Sequence, residues 1–128
     1  MYALLYRSSA SCSVTADLLS DLYAASQMRN GLWGITGVLL CCTSGDVHSF
    51  AQWLEGEEET VHDLYAHIRA DTRHTACVVL ASGDDLLAVT HGERLFGEWE
   101  MRVLDVGVLP MTVAEFLDVA AAADEVAG

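Results

Sequence analysis

The chain has 128 residues, 52% hydrophobic and 20% charged, which is enough apolar material for the core of one domain and too much for a disordered or low-complexity segment. Six Arg and no Lys against 19 acidic residues leave a formal charge of -13, which excludes a phosphate-neutralising nucleic-acid surface, while the missing Lys excludes Schiff-base chemistry and a P-loop. No apolar run is long enough to span a bilayer, and Met1 to Arg7 lacks the basic and apolar pattern of an export leader, so a cytoplasmic location is expected.

Tyr2 to Tyr6 is short, apolar and aromatic and reads as a first strand. Beyond a Ser-rich turn from Ser8 to Ser13, Thr15 caps a helix whose Leu18, Leu19, Leu22, Tyr23 and Met28 keep helical spacing, and Asn30-Gly31 ends it. Ile35 to Cys42 and Ser49 to Leu54 form a hairpin across Ser44-Gly45-Asp46. Glu57-Glu58-Glu59 opens a second helix, where negative charge suits the positive end of the macrodipole, with Val61, Leu64, Tyr65 and Ile68 as its core face. Cys77 to Ala81 is a fourth strand and Trp99 to Val106 a fifth, and the connection from Ser82 to Gly92 carries no clear element. Pro110 stops the fifth strand, and Thr112-x-x-Glu115 is a capping box for a last helix bearing Phe116, Leu117 and Val119.

This order predicts an α+β, ferredoxin-like βαββαβ sheet with two helices on one face, plus an extra strand and a C-terminal helix. Such a fold assigns no function by itself. The four cysteines, Cys12, Cys41, Cys42 and Cys77, have no CxxC spacing and read as free, mostly buried thiols, so no metal site is expected.

The informative residues are polar ones on faces that should be apolar. Leu19, Tyr23, Ser26 and Asn30 lie on one stripe of the first helix, and Leu64, His67, Ile68 and Asp71 on one stripe of the second. Two such helices packed side by side would hold an amide, an imidazole and a carboxylate along their seam, a slot suited to a flat, partly apolar heterocycle with hydrogen-bonding edges. On periodicity alone, a helix-end Asn30 and an ordinary surface pair of His67 and Asp71 remain the alternative. Alternation places Gln52 on a face with Phe50 and Leu54, opposite to Trp53, and a buried amide must satisfy both its donor and its acceptor. Leu4 and Tyr6 share a face of the first strand, so Tyr6 brings a phenol either to the same slot or to an ordinary core.

Five fragments carry a resemblance: Leu4-Leu5-Tyr6-Arg7-Ser8; Asn30 with Gly34-Ile35-Thr36-Gly37; Gln52-Trp53-Leu54-Glu55-Gly56; Asp71-Thr72-Arg73-His74; and Arg94-Leu95-Phe96-Gly97-Glu98-Trp99-Glu100-Met101. In this order they resemble the BLUF domains, blue-light sensors that bind FAD. The resemblance implies a flavin-binding domain over residues 1–106 with a C-terminal helical extension over 107–128, acting as a short stand-alone sensor and not an enzyme. It implies a non-covalent flavin between the two helices: FAD, with FMN or riboflavin as alternatives. Tyr6 and Gln52 would be the photoactive pair, by electron transfer from Tyr6 and hydrogen-bond rearrangement of Gln52, with Trp99 and Met101 passing the change on. Asn30 would bond the ring's carbonyl edge, and His67 and Asp71 would line its pyrimidine end with support from Arg73 and His74. Arg29 would reach toward the ribityl or phosphate part. The partners implied are the flavin, an unidentified downstream protein and a further copy of the chain, with neither nucleic acid nor membrane. A flavin-free interaction module of the same fold is the alternative. An acylphosphatase-like hydrolase is a third, minor reading, disfavoured because Arg7-Ser8-Ser9-Ala10 offers no Gly-rich phosphate cradle.

Overall fold

The computed structural model describes residues 1–10, 15–44, 47–105, 112–122 and 124–125. Cys12, Gly45, Asp46, Val106 and Pro110, named above, lie outside the described residues, as does the side chain of His74. In chain order the elements are β1 (Tyr2–Ala10), α1 (Ala16–Leu32), β2 (Thr36–Ser44), β3 (Val47–Gly56), α2 (Glu58–Ala70), β4 (His74–Ser82), a 3-10 turn (Gly83–Leu86), α3 (Leu87–Thr90), β5 (Trp99–Asp105), α4 (Val113–Ala122) and β6 (Asp124–Glu125). The strands form one sheet in the order β4-β1-β3-β2-β5-β6. β1 is antiparallel to both β3 and β4, and β2 is antiparallel to β3 but parallel to β5.

The expected α+β, ferredoxin-like arrangement is therefore present, with α1 and α2 on the same face of the sheet. That face carries Leu4, Tyr6 and Leu54 under Val61, Leu64 and Ile68 of α2, and Leu39, Phe50, Trp99 and Met101 under Leu19, Leu22 and Tyr23 of α1. The opposite face, with Leu5, Val38, Leu40 and Trp53, is covered by Leu86 and by Phe116 and Ala120 of α4. The indole of Trp53 stacks on Phe116 at 6.3 Å and meets Phe96 edge-on at 6.2 Å. Burying side chains of this size contributes about 2 kcal/mol each, so the apolar face of α4 is engaged on this chain's own sheet.

Local chemistry explains the ends of the elements. Thr15 accepts a hydrogen bond from the Leu18 amide at 3.1 Å, and Thr112 and Glu115 close the capping box with two contacts of 3.1 Å. The first helix runs past Asn30-Gly31 to Leu32, because the residue that takes a positive φ is Gly34, at 69°, rather than Gly31. The extension carries Leu32 into solvent, and Met28, expected on the apolar stripe, is also exposed. The connection after β4 folds into the 3-10 turn and α3, and buries Leu86. In β2, Gly37 is mandatory: its φ is 146°, and a Cβ there would lie 1.9 Å from the Trp53 carbonyl oxygen.

Candidate functional site

Strand register lines up the central residues before any side chain is considered. Tyr6 of β1 pairs with Gln52 of β3, Gln52 with Leu39 of β2, and Leu39 with Met101 of β5, giving one row across the sheet beneath the helices. Two residues before Met101, on the same face, stands Trp99. Gln52 joins Tyr6 to Trp99. Its Nε2 donates to the Tyr6 hydroxyl at 2.6 Å, and its Oε1 accepts from the Trp99 indole Nε1 at 2.9 Å. An indole N–H can only donate, so Trp99 requires the amide oxygen, and the amide nitrogen is left for Tyr6. Tyr6, Gln52, Trp99 and Met101 are all buried, and the Tyr6 ring lies 5.2 Å from that of Tyr65. Burial drives the Tyr6 phenol far above its ordinary value of 10.0, only partly opposed by the Gln52 hydrogen bond, so it stays protonated.

Above this row a narrow cleft of about 50 Å³ separates α1 from α2. Of the residues the sequence nominated, Tyr6, Arg29, Gln52, His67, Asp71 and Arg73 line it, with Ser26 and Leu39 added. Asp71 lies one residue beyond α2 with extended backbone, not on the helix stripe, and its carboxylate takes the Arg73 guanidinium at 2.5 to 3.1 Å. His67 is exposed on α2 at the cleft's rim. Burial lowers the Arg29 guanidinium from its ordinary value, with Tyr6 and Asp71 opposing and Arg73 adding to the shift.

Asn30 ends the stripe Leu19-Tyr23-Ser26-Asn30 as the spacing predicts, and both Ser26 and Asn30 are buried. It lines a second, larger hollow of about 360 Å³ together with Thr36, Arg94, Glu98 and Trp99. Trp99 thus stands between the two hollows, bordering one and bonded to Gln52 in the other. The amide nitrogen of Asn30 is buried with no hydrogen-bond partner among the described residues. A buried, unpaired amide N–H costs about 1–3 kcal/mol, so this donor is a fit for the carbonyl edge of a bound heterocycle. Sequence reasoning missed Glu55 and Arg94 as members of the neighbourhood. Glu55 is fully buried on the face opposite Gln52, and a carboxylate alternating with Ala51 and Trp53 was the available signal.

Comparison with known proteins agrees with this geometry. Residues 1–102 match the family model BLUF, sensors of blue-light using FAD. Photoactivated adenylate cyclase subunit alpha of Euglena gracilis is 36% identical over 87 residues, covering 68% of this chain and 8% of that protein. The chain thus spans under a tenth of the length of the curated relatives it matches. Among solved structures, the dark state of BlrB, a BLUF protein, superposes with a TM-score of 0.64 at 29% identity, over 94% of this chain and 86% of that one. Klebsiella pneumoniae BlrP1 with FMN and cyclic diGMP superposes with a TM-score of 0.60 at 29% identity, over 95% of this chain and 30% of that one. With the matching family model covering residues 1–102 and the sheet, helices and buried polar row in place, the chain belongs to the BLUF family of flavin-binding blue-light sensors.

Proposed function

We propose that this chain is a blue-light photoreceptor domain that holds FAD non-covalently between α1 and α2 and reports illumination through the hydrogen bonds of Gln52. The observation that carries the reading is the chain Tyr6–Gln52–Trp99 beside the unpaired Asn30 amide nitrogen. Tyr6, Gln52 and Asn30 are the residues that would hold the ring edge, with His67 and Asp71 toward its pyrimidine end, Arg73 behind them, and Arg29 toward a ribityl or phosphate group. Typical ligand sites enclose some 300–1,000 Å³, so loading the cleft requires α1 and α2 to part. A bound flavin supplies the blue absorption and an electron-accepting ring.

The protein's own part follows from donor and acceptor counts. Gln52 offers its donor and its acceptor on separate atoms of one planar group, so a single rotation exchanges them between its two partners. Rotating its carboxamide by half a turn sets Oε1 against the Tyr6 hydroxyl, which then donates its own proton. The same rotation sets Nε2 against the Trp99 N–H, two donors facing each other, and breaks that bond. Electron donation from Tyr6 to a bound flavin ring would favour the rotation, because it weakens the phenol oxygen as an acceptor from Nε2 and strengthens the phenol O–H as a donor toward Oε1. β5, which carries Trp99 and Met101, is thereby biased between two positions. Output to a downstream protein or to a second copy of this chain is proposed to leave through β5 and the extension over 107–128.

The test is an absorption spectrum of the dark-purified protein before and after blue illumination. A reversible shift of the flavin band to longer wavelength, lost in Gln52→Leu and in Tyr6→Phe while flavin stays bound, is the expected result. Either variant keeping the full shift overturns the role given to that residue. A colourless protein that refuses FAD, FMN and riboflavin establishes instead the flavin-free module that the narrow cleft would suit. Chromatography of the extracted pigment identifies the flavin.

A further inference from the structure

We propose that Glu55 is a positioning residue that holds Trp99 against Gln52 from the opposite side of the sheet. Its side chain is fully buried, and both oxygens are engaged. Oε1 accepts from the Thr36 hydroxyl at 2.9 Å and the Phe96 amide at 2.8 Å, and Oε2 from the Trp53 indole and the Leu95 amide, both at 3.0 Å. Arg94 tightens the same knot, donating to the Thr36 hydroxyl oxygen at 2.8 Å and to the Glu55 carbonyl at 3.2 Å. Burying a carboxylate is costly unless its lone pairs are used, and here they are used to tie down a segment that has no strand or helix of its own.

That segment leads directly into β5. Only Gly97 and Glu98 separate the anchored Phe96 from Trp99, and the Glu98 carbonyl accepts from the Gly37 amide at 3.2 Å just before Gly37 and Trp99 pair. The place where Trp99 enters the sheet is thus fixed three residues upstream by a side chain of β3, the strand that also presents Gln52. One strand holds both ends of the Trp99 contact, through Gln52 on the helix face and Glu55 on the other. That Trp99 reports the state of Gln52 rests on the reading above, whereas the anchoring is independent of flavin.

The experiment is hydrogen exchange of the three indole N–H groups in the full chain kept dark, each signal assigned by its Trp→Phe variant. Glu55→Gln preserves shape but leaves one acceptor oxygen where two served and turns an amide donor toward donors. Trp53, a direct partner of Glu55, must exchange faster in it whatever the role of Glu55. The proposal requires Trp99 to accelerate as well, by about tenfold or more, beyond any change at the Leu5 amide in the core. Thr36→Val removes one of the four donors and is expected to move Trp99 in the same direction by less. It decides alone if Glu55→Gln does not fold. Trp99 exchange that stays at the wild-type rate, or merely follows Leu5, overturns the proposal. A protein that binds no flavin but shows the Trp99 acceleration would sink the photoreceptor reading and leave this one standing.

Discussion

At the scale of single residues, the site is a set of polar groups placed where apolar ones would be more stable. Asn30 shows this most directly, because its amide nitrogen is buried and unsatisfied among the described residues. Leaving such a donor unpaired costs about 1–3 kcal/mol, and the cost is recovered only when an acceptor arrives. Asn30→Ala is therefore expected to leave the melting of the flavin-free protein within about 1 kcal/mol of wild type while weakening flavin binding roughly tenfold. Calorimetric unfolding beside flavin titration checks this, and a loss of stability without a loss of affinity would mark Asn30 as structural. Tyr6, Asn30 and Gln52 could be nominated from the sequence because alternation and helical spacing put each on an apolar face, and the BLUF resemblance favoured a flavin-binding role for them over an ordinary core. Glu55 obeys the same rule and was passed over, since its partners Leu95 and Phe96 donate through backbone that no side-chain pattern announces.

Among the elements, β2 is the one on which the others depend. It pairs with β3 on one side and β5 on the other, and Gly37 sits where it faces Leu54 and Trp99. A methyl group at 37 would meet the Trp53 carbonyl at 1.9 Å, and backbone cannot move aside as a side-chain tip can. Gly37→Ala is expected to cost more than about 3 kcal/mol and to give little folded protein, read by urea denaturation. The elements legible in advance were those with long periodic patterns or explicit caps, such as α2 and the Thr112 to Glu115 box. The 3-10 turn with α3, and the two-residue β6, were not, because each is too short to show a period and is stabilised by what it touches.

For the molecule as a whole, two thiols and a phenol buried on the sheet shape its stability at high pH. Burial pushes the Cys41 thiol from 9.0 up to about 12 and the Cys42 thiol up to about 11, and raises the Tyr6 phenol above 10.0. Each group binds its proton more tightly folded than unfolded, so its contribution is complete below about pH 9 and is lost as pH rises toward 12. The unfolding free energy from urea titrations should be flat up to about pH 9 and then decline by up to about 1.4 kcal/mol per pH unit for each group titrating. A Cys41→Ala, Cys42→Ala double variant should flatten the first part of that decline, and an unchanged decline would assign it to other groups.

The parallel pairing of β5 with β2 also governs how the protein comes together. β2 and β3 join through a hairpin, but β1 must find β3 and β4, and Trp99 must find Gly37 across roughly 60 residues, so the closure entropy of those loops is paid before the contacts return anything. The strand that carries the proposed output is accordingly among the late arrivals in folding, together with β4, which reaches β1 across a still longer separation. A sensor built this way would draw its signal from a strand held by non-local pairing, where a single exchanged hydrogen bond is weighed against the energy that keeps the strand in place.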